Sequence, residues 1–307
     1  MNVYLSEYIY PEAVKKLRQC ANVVSDFDRI EEIDAIILRN IPVTAEMMDK
    51  AKKLKVIAKH GIGVNTIDVK AAKERSIQVI YTPTSNADSV AEMTVGLFLM
   101  LQRKLYEANV KCRRGEFSSI APKELLGTEI NGKTFGQIGM GNIAQRIARI
   151  MSAGFSAKIL GYDPMISKQE AEKRGFEKVD SLQELISRSD MVNVNVPLID
   201  STRNMISGDI FNHFKPEAIF VNAARGEIIN EDDLYNALVS GKLKAAACDT
   251  FSIEPPAADN KLLTLQNFSA TPHIGGNTQE ALMKTGIEVV AETLNVLEGK
   301  APLHPVP

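Results

Sequence analysis

Residues 134–144 read TFGQIGMGNIA, and this stretch decides the fold. A short apolar run leads into two glycines, Gly139 and Gly141, and a helical pattern with one apolar face follows from Ile143. In a strand–turn–helix unit the first glycine permits a tight turn, and the second lets the backbone approach a pyrophosphate. A small third residue, here Ala144, packs the helix on the strand, while the helix N-terminus attracts an anion. The stretch therefore predicts a dinucleotide-binding turn.

A carboxylate stands where such a turn requires one. Asp163 follows the next strand-like run, residues 158–162, and lies 22 residues after Gly141. This is close to the spacing expected of an acid that binds the adenosine ribose hydroxyls. A carboxylate there would repel a 2′-phosphate, so the pair favours NAD over NADP. The alternative is a structural glycine turn followed by an aspartate that only caps a turn.

Residues 127–134, GTEINGKT, match the phosphate-binding pattern G-x-x-x-x-G-K-[ST] letter for letter. A working loop of that kind follows a strand and leads into a helix. Here the segment leads into the predicted strand that begins at Thr134. We therefore interpret it as a turn and do not expect ATP binding.

The composition, with 307 residues of which 45% are apolar and 24% charged, is typical of a soluble protein with two domains. A net charge of -2 indicates neither a nucleic-acid partner nor a membrane partner. The N-terminus does not resemble a signal peptide, and no apolar run reaches the roughly 20 residues that span a bilayer. Cys20, Cys112 and Cys248 are too far apart for a disulfide framework or a metal-ligand spacing. We expect no metal and a reduced, cytoplasmic setting.

Strand-like runs rich in β-branched residues alternate with amphipathic helical stretches along the chain. Strands are expected at 2–5, 22–25, 35–38, 55–59, 78–81, 134–139, 158–162, 191–197, 219–222, 245–249 and 268–271. Strands that alternate with helices form parallel sheets covered on both faces. We therefore expect an α/β protein with two doubly wound parallel-sheet domains. A largely buried helix at 89–103 would join them, and a helix at 278–299 would carry the chain back to the first.

Polar side chains follow three of the later strands. The segments are NAARGE at 222–227, DTFSIEPP at 249–256 and TPHIGG at 271–276. They supply a guanidinium (Arg225), a carboxylate (Glu254) and an imidazole (His273). This set is suited to gripping a carboxylate substrate and moving a proton on and off the neighbouring oxygen. Taken singly, Arg225 could be a surface arginine and Glu254 a solvated loop residue.

Two further motifs, KHGIGVN at 59–65 and NADSVAE at 86–92, complete an ordered series. With them, the chain resembles the D-isomer-specific 2-hydroxyacid dehydrogenases over essentially its whole length. The resemblance implies a Rossmann NAD-binding domain, residues 100–278, inserted into a flavodoxin-like substrate domain, residues 1–99 and 279–307. It also implies an active site in the cleft between the domains, and a homodimer.

The same resemblance implies a role for each polar residue. Arg225 would hold the substrate carboxylate in a bidentate grip. His273 would take the hydroxyl proton as hydride leaves for the nicotinamide, and return it in the reverse reaction. Glu254 would bind the other ring nitrogen of His273 and favour its protonated form. Asp249 would lie near the nicotinamide ring.

The residues expected to contact cofactor or substrate come from both predicted domains. Those expected at the cofactor are Ile62, Gly139, Gly141, Asn142, Ile143, Asp163, Val196, Ala223, Ala224, Arg225, Asp249, His273, Gly275 and Gly276. Those expected at the substrate are Arg39, Lys59, His60, Gly61, Gly63, Val64 and Arg225, with backbone amides of residues 61–64 as further donors to its carboxylate.

Within the family, the motifs are most similar to those of 3-phosphoglycerate dehydrogenases without their C-terminal regulatory domain. Arg39 matches a phosphate-contacting arginine of those enzymes, and Lys59 stands where many have a second arginine. Asn65 replaces a common aspartate, and Ile62 a residue that is often hydroxylated. Phosphoglycerate is therefore the first candidate substrate. A small unphosphorylated acid of the hydroxypyruvate, glyoxylate or lactate type is the second, with Arg39 and Lys59 then as solvated cations.

A function of another class is also open. Some members of this fold are NAD-sensing corepressors that bind partner proteins and keep the same three residues. The Arg–Glu–His set alone therefore does not distinguish an enzyme from a binding protein.

Overall fold

Two parallel sheets organise the chain, and the computed structural model describes residues 1–117 and 119–306. In chain order the strands are β1 (Asn2–Leu5), β2 (Asn22–Val24), β3 (Ala35–Leu38), β4 (Val56–Lys59), β5 (Gln78–Tyr81), β6 (Thr134–Ile138), β7 (Lys158–Tyr162), β8 (Glu177–Lys178), β9 (Met191–Val194), β10 (Ile219–Asn222), β11 (Ala245–Cys248) and β12 (Phe268–Ala270). The helices are α1 (Pro11–Cys20), α2 (Ala45–Lys50), α3 (Val69–Glu74), α4 (Ala87–Gln102), α5 (Leu105–Arg114), α6 (Asn142–Phe155), α7 (Lys168–Lys173), α8 (Leu182–Arg188), α9 (Glu231–Val239) and α10 (Gln279–Leu297).

The first unit comprises Met1–Ala87 and Gly276–Pro307. Its five strands have the order β2-β1-β3-β4-β5, with neighbours parallel. This is the doubly wound order of flavodoxin-like domains. Strands β3 and β4 are buried along their whole length, because helices cover both faces of the sheet.

The second unit is the continuous segment Asp88–Gly275. Its seven strands have the order β12-β11-β10-β9-β6-β7-β8, again parallel. Starting from β6, the order turns back on itself as in a Rossmann sheet, with the reversal between β6 and β9. The prediction of two doubly wound parallel-sheet domains is confirmed.

Alternation along the strands places each side chain in one of two cores. In β3, Ala35 and Ile37 belong to one apolar cluster, while Ile36 and Leu38 belong to the cluster on the other face. The second sheet has the same arrangement, with Ile138 and Phe135 of β6 in different clusters. Such two-sided burial explains why the strands read as continuous apolar runs.

Several helices begin where the sequence provides an N-terminal cap. The side chains of Thr44, Asp68, Ser167, Ser181 and Asn230 each accept a hydrogen bond from an amide in the first turn. Such bonds satisfy amides that have no partner inside the helix. Each cap therefore fixes the residue at which a loop ends and the next helix begins. None of the helices in the described residues is long and apolar enough to cross a membrane.

The chain passes between the units at two places, 87–88 and 275–276. In the second unit, a Cβ built on Gly275 would lie 3.6 Å from a methyl group of Val90. In the first unit, a Cβ on Gly276 would lie 2.9 Å from the Asn86 side-chain amide. Both ends of the second unit therefore lie next to each other.

Candidate active site

The glycine turn at the end of β6 is shaped by close backbone contacts. Gly139 has a φ of +83°, and a Cβ at this position would lie 2.4 Å from the Asn195 carbonyl oxygen. Only glycine fits there without strain. By contrast, a Cβ on Gly141 would meet nothing within 4 Å, so this face of the turn is open to a ligand. Helix α6 starts directly after it, at Asn142.

The peptide of Met140, between the two glycines, is held from both sides. Its N–H donates to Asp163 Oδ2 at 3.1 Å, and its carbonyl accepts from Arg174 at 2.9 Å and from Gln145 at 3.2 Å. The turn is therefore fixed before any ligand arrives. Open amides at a helix N-terminus beside this rigid turn fit a pyrophosphate.

Asp163 follows β7 and makes two backbone contacts. Besides the Met140 amide, it accepts the Met165 amide at Oδ1, at 3.0 Å. The carboxylate therefore caps a turn and braces the glycine turn at the same time. Both contacts fix the position of the carboxylate relative to the open face of Gly141.

Arg225 is positioned by the buried side chain of Asn222, the last residue of β10. The Asn222 side-chain amide donates to the Arg225 carbonyl at 2.9 Å, and its oxygen accepts the Ala224 amide at 3.0 Å. Arg225 is partly buried, and burial lowers the pKa of its guanidinium. The negative charges of Glu254 and Glu227 raise this pKa, but by less than burial lowers it. An arginine still stays charged. The side chain is thus a fixed cation and is not a fully exposed surface arginine.

Glu254 and His273 form a hydrogen-bonded pair. Glu254 Oε2 lies 2.8 Å from His273 Nδ1, and Oε1 accepts the Phe251 amide at 3.1 Å. Burial alone would raise the pKa of Glu254, but these bonds and the charges of His273 and Arg225 outweigh it and lower the pKa. The carboxylate therefore stays ionised beside the imidazole, and it is not a freely solvated loop residue.

The loop that carries His273 is held by the buried carboxylate of Asp249. Its oxygens accept the Thr271 hydroxyl at 2.6 Å, the Ile274 amide at 2.9 Å and the Gly275 amide at 2.8 Å. The Asp249 carbonyl also accepts the His273 amide at 2.8 Å. His273 has a φ of +54°, a left-handed conformation that is rare outside glycine. The Asp249 bonds on both sides of His273 hold this conformation.

The remaining predicted cofactor residues are divided between the two units. Val196 contacts the position of a Cβ on Gly139, and Gly275 lies against the Asp249 carboxylate. Ala223 is partly buried and Ala224 is buried. Two predicted cofactor residues belong to the first unit, Gly276 and Ile62. Ile62 is 38% exposed, an open position for an apolar side chain.

In the first unit, Arg39 and Lys59 meet at the carboxyl ends of β3 and β4. Lys59 is only 6% exposed, and its ammonium donates to the Arg39 carbonyl. The Arg39 guanidinium donates to the Tyr8 carbonyl at 3.2 Å. The two cations are therefore held by backbone carbonyls at one edge of the first sheet.

His60 follows Lys59 and has a buried ring nitrogen, Nε2, without a hydrogen-bond partner. Burial, and then the charge of Arg39, lowers the pKa of His60 to about 4. The ring is neutral at physiological pH. In the next turn, Gly61 has a φ of +132°, and its amide donates to the Thr82 hydroxyl at 2.8 Å. Gly63 and Val64, which follow, are partly buried.

Sequence reasoning missed Asn222, Thr271 and the Phe251 amide, which hold Arg225, the His273 loop and Glu254. Asn222 had a usable signal, because a polar residue ends an otherwise apolar strand. Among the described residues, no group of three or more His, Cys, Asp or Glu side chains could hold a metal ion.

The fold and these side chains define a dinucleotide-binding α/β protein with a hydrogen-bonded carboxylate–imidazole pair. More specifically, the chain belongs to the D-isomer specific 2-hydroxyacid dehydrogenases, because the model of that family's NAD binding domain matches residues 95–275. The predicted family and the predicted NAD cofactor are confirmed. The glycine turn and Asp163 fit this cofactor, since the turn is fixed and its outer face is open.

Among similar proteins, D-3-phosphoglycerate dehydrogenase of Methanocaldococcus jannaschii is 39% identical over 98% of this chain. The chain spans 58% of the length of that relative. Hydroxypyruvate reductase of Thermotoga maritima is 42% identical over 87% of this chain and 86% of its own length.

Solved structures agree with the fold. The TT0316 protein from Thermus thermophilus has a TM-score of 0.91 at 30% identity, covering 100% of both chains. D-Lactate dehydrogenase from Aquifex aeolicus, complexed with NAD and lactic acid, has a TM-score of 0.87 at 26% identity, covering 97% of this chain and 96% of its own.

Proposed function

We propose that this protein is an NAD-dependent dehydrogenase that interconverts a D-2-hydroxy acid and its 2-keto acid. The observation that carries the proposal is the 2.8 Å pair of Glu254 and His273, in the same unit as the glycine turn and Arg225. The second unit would be the NAD-binding domain and the first unit the substrate domain.

Arg225 binds the substrate carboxylate in this proposal. A guanidinium offers a planar fork that matches both carboxylate oxygens. Asn222 holds the Arg225 carbonyl and the Ala224 amide, and the Arg225 guanidinium donates to the Ala224 carbonyl at 2.6 Å, so the fork is pre-oriented and little entropy is lost on binding. Binding of the carboxylate by Arg225 fixes the position of carbon 2 of the acid.

His273 is the general acid–base residue. NAD, when bound, exchanges a hydride with carbon 2 of the acid. His273 takes the proton from the hydroxyl oxygen in oxidation and returns it to the carbonyl oxygen in reduction. Because Glu254 binds Nδ1, it leaves Nε2 for the substrate and stabilises the imidazolium.

Asp163 selects NAD over NADP. Its carboxylate would accept hydrogen bonds from the adenosine ribose and repel a 2′-phosphate. Gly139, Gly141, Asn142 and Ile143 form the pyrophosphate turn in this proposal. The nicotinamide end would lie near Val196, Ala223, Ala224, Asp249, Gly275 and Gly276.

The first candidate substrate is 3-phosphoglycerate, with 3-phosphohydroxypyruvate as its keto form. It is supported by Arg39 at the carboxyl end of β3 and by the phosphoglycerate dehydrogenase relatives. Arg39, Lys59, His60 and the 61–64 turn would line the part of the pocket in the first unit.

Hydroxypyruvate is the second candidate, and one observation favours it. Lys59 is a buried residue and its ammonium donates to the Arg39 carbonyl, which makes it a poor second cation for a phosphate dianion. The hydroxypyruvate reductase relative, covered over 86% of its length, supports the same acid.

We further propose a cytoplasmic homodimer that acts on small molecules. The three cysteines are all free, which suits a reducing compartment. The apolar side chains of Leu105, Tyr106, Ile120 and Leu126 are exposed in and after α5. Several exposed apolar side chains in one stretch of sequence support an interface with a second copy.

Reduction of a 2-keto-acid panel by NADH tests the function. The panel contains 3-phosphohydroxypyruvate, hydroxypyruvate, glyoxylate and pyruvate, each with NADH and with NADPH. We expect NADH-dependent turnover, with the highest kcat/KM for one of the first two acids. Tight NADH binding without turnover of any acid would instead support the corepressor class.

A further inference from the structure

Glu7 lies in the loop between β1 and α1, and its carboxylate accepts hydrogen bonds from backbone amides of another loop. Oε2 accepts the Arg39 amide at 2.6 Å and the Asn40 amide at 2.9 Å, and Oε1 accepts the Asn40 amide at 3.0 Å. The Asn40 side chain adds a bond at 3.2 Å, and the Ser6 hydroxyl adds one at 2.7 Å. Arg39 and Asn40 are the first residues of the Arg39 loop, which we define as residues 39–44, between β3 and α2.

These bonds keep Glu7 ionised. Burial alone would raise the pKa of Glu7, but the bonds from Ser6, Asn40 and Arg39 outweigh it and lower the pKa. A carboxylate that accepts several N–H and O–H groups is a strong, charge-assisted acceptor. The contact therefore persists through the neutral pH range.

The backbone carbonyl of Arg39 is also held by a hydrogen bond. This carbonyl accepts the ammonium of Lys59, from the end of β4. The Tyr8 carbonyl, one residue after Glu7, accepts from the Arg39 guanidinium at 3.2 Å. Three neighbouring strand ends, those of β1, β3 and β4, thus converge on one arginine.

The carboxylate meets the backbone amides at the start of the Arg39 loop, while the guanidinium itself contacts a neutral carbonyl. In this arrangement the Arg39 side chain keeps its positive charge for an anionic or polar ligand, and Glu7 fixes the peptide from which that side chain extends. Asn40 is exposed and Arg39 is only partly buried, so water could replace the carboxylate at both amides. Loss of Glu7 should therefore affect the orientation of Arg39 more than the stability of the fold.

We propose that Glu7 is a positioning residue for substrate selection, which fixes the Arg39 loop so that Arg39 meets the group on carbon 3 of the substrate. This inference rests on the proposed function. It makes Glu7 part of the recognition of a phosphate or hydroxyl at carbon 3, although Glu7 itself touches neither.

The test compares Glu7→Gln with Glu31→Gln, a matched loss of charge at an exposed acid of the same unit. For Glu7→Gln we expect KM for the carbon-3 substrate, 3-phosphohydroxypyruvate or hydroxypyruvate, to rise about tenfold. The kcat, the KM for NADH and the KM for glyoxylate, which has no carbon 3, should stay within about twofold. Glu7→Asp, which keeps the charge, should restore part of the loss, and Glu31→Gln should behave as wild type.

Hydrogen exchange of the Arg39 and Asn40 amides gives a readout that needs no turnover. In Glu7→Gln these amides should exchange about tenfold faster than in wild type or Glu31→Gln, because one oxygen acceptor has become an N–H donor. Unchanged exchange, or an equal rise in KM for glyoxylate and the carbon-3 substrate, would overturn the positioning role.

The two proposals can fail separately. If wild type reduces the acids while Glu7→Gln leaves exchange and KM unchanged, the positioning role is wrong and the function stands. If wild type reduces none of them, the function is wrong. Calorimetric binding of 3-phosphoglycerate then decides the role of Glu7: weaker binding to Glu7→Gln together with faster exchange supports it, and equal binding or unchanged exchange contradicts it.

Discussion

Glu254 Oε2 lies 2.8 Å from Nδ1 of His273, and the two residues come from loops that follow adjacent strands, β11 and β12. Parallel strands bring these loops to the same edge of the sheet, although 19 positions separate the residues in sequence. The pair is therefore a product of the topology.

Removal of the imidazole should abolish most turnover. In His273→Ala we expect kcat for keto-acid reduction to fall by about 10²–10⁴-fold, the usual contribution of a general acid–base residue. The NADH dissociation constant, measured by fluorescence titration, should stay close to that of wild type. A large loss of NADH affinity would contradict the proton-transfer role and indicate that His273 mainly maintains the nicotinamide site.

Neutralising Glu254 should slow the reaction without unfolding the protein. Reduction requires a protonated His273, and Glu254→Gln takes away the anion that stabilises the imidazolium. We expect kcat/KM for reduction at neutral pH to fall about 10–100-fold, while the NADH dissociation constant stays close to that of wild type. The exposed Glu280→Gln is a suitable control. An unchanged kcat/KM in Glu254→Gln would argue against the stabilising role.

Substitutions of Asp163 should separate its bond to the Met140 amide from its proposed contact with the adenosine ribose. Asp163→Asn keeps an oxygen for the Met140 amide, while Asp163→Ala loses the brace and should also weaken NADH binding. Asp163→Arg should raise the NADPH-to-NADH ratio of kcat/KM at least about tenfold, because attraction replaces repulsion of the 2′-phosphate. Steady-state kinetics with both cofactors measures this, and a ratio equal to that of wild type in Asp163→Arg would disprove the ribose assignment.

The two glycines of the turn offer a matched pair. Gly139→Ala places a Cβ 2.4 Å from a carbonyl oxygen at a φ of +83°, so the backbone must shift. We expect about 1–3 kcal/mol lower stability and weak NADH binding. Gly141→Ala meets no atom of the protein within 4 Å. It should keep stability within about 1 kcal/mol and yet weaken NADH binding. Chemical denaturation and NADH titration check both, and tight NADH binding by Gly141→Ala would contradict a pyrophosphate contact there.

His60 should make the first unit acid-sensitive. Burial and the charge of Arg39 lower its pKa to about 4, whereas an unfolded chain keeps a value near 6.5. Between these values the unfolded chain binds more protons, so stability falls as the pH drops from about 6.5 to about 4, by about 3 kcal/mol. His60→Gln should flatten this slope, and His213→Gln, at an exposed histidine, should not. Equal slopes in wild type and His60→Gln by urea denaturation would exclude His60 as the source.

The strands could be predicted because they are buried on both faces. Residues 35–38, 78–81, 158–162 and 219–222 form strands with the predicted bounds. The run at 191–197 was predicted too long: β9 ends at Val194, and the next amide, of Asn195, already bonds to Ile138 at the end of β6. Helix α5 was missed because none of its residues is buried, so it shows no apolar face in the sequence.

Arg225, Glu254 and His273 could be picked out from the sequence, but the bonds that hold them could not. All three follow strand-like runs, and their catalytic roles, which the family resemblance implies, stay predictions. The left-handed φ of His273 and the bonds of Asp249 to the Ile274 and Gly275 amides depend on how two loops meet. The same holds for Glu7, whose 32-residue separation from Arg39 gives no local signal.

The adjacent ends of the second unit have a consequence for protein engineering. Asp88 begins this unit, Gly275 ends it, and Val90 lies against Gly275. Residues 88–275 can thus be treated as a cassette whose termini could be joined by a very short linker, to give a circularly permuted or stand-alone nucleotide-binding protein. His273 lies two residues inside the end of that cassette, so a cut at this end must fall beyond Gly275 for the imidazole to keep its support from Asp249.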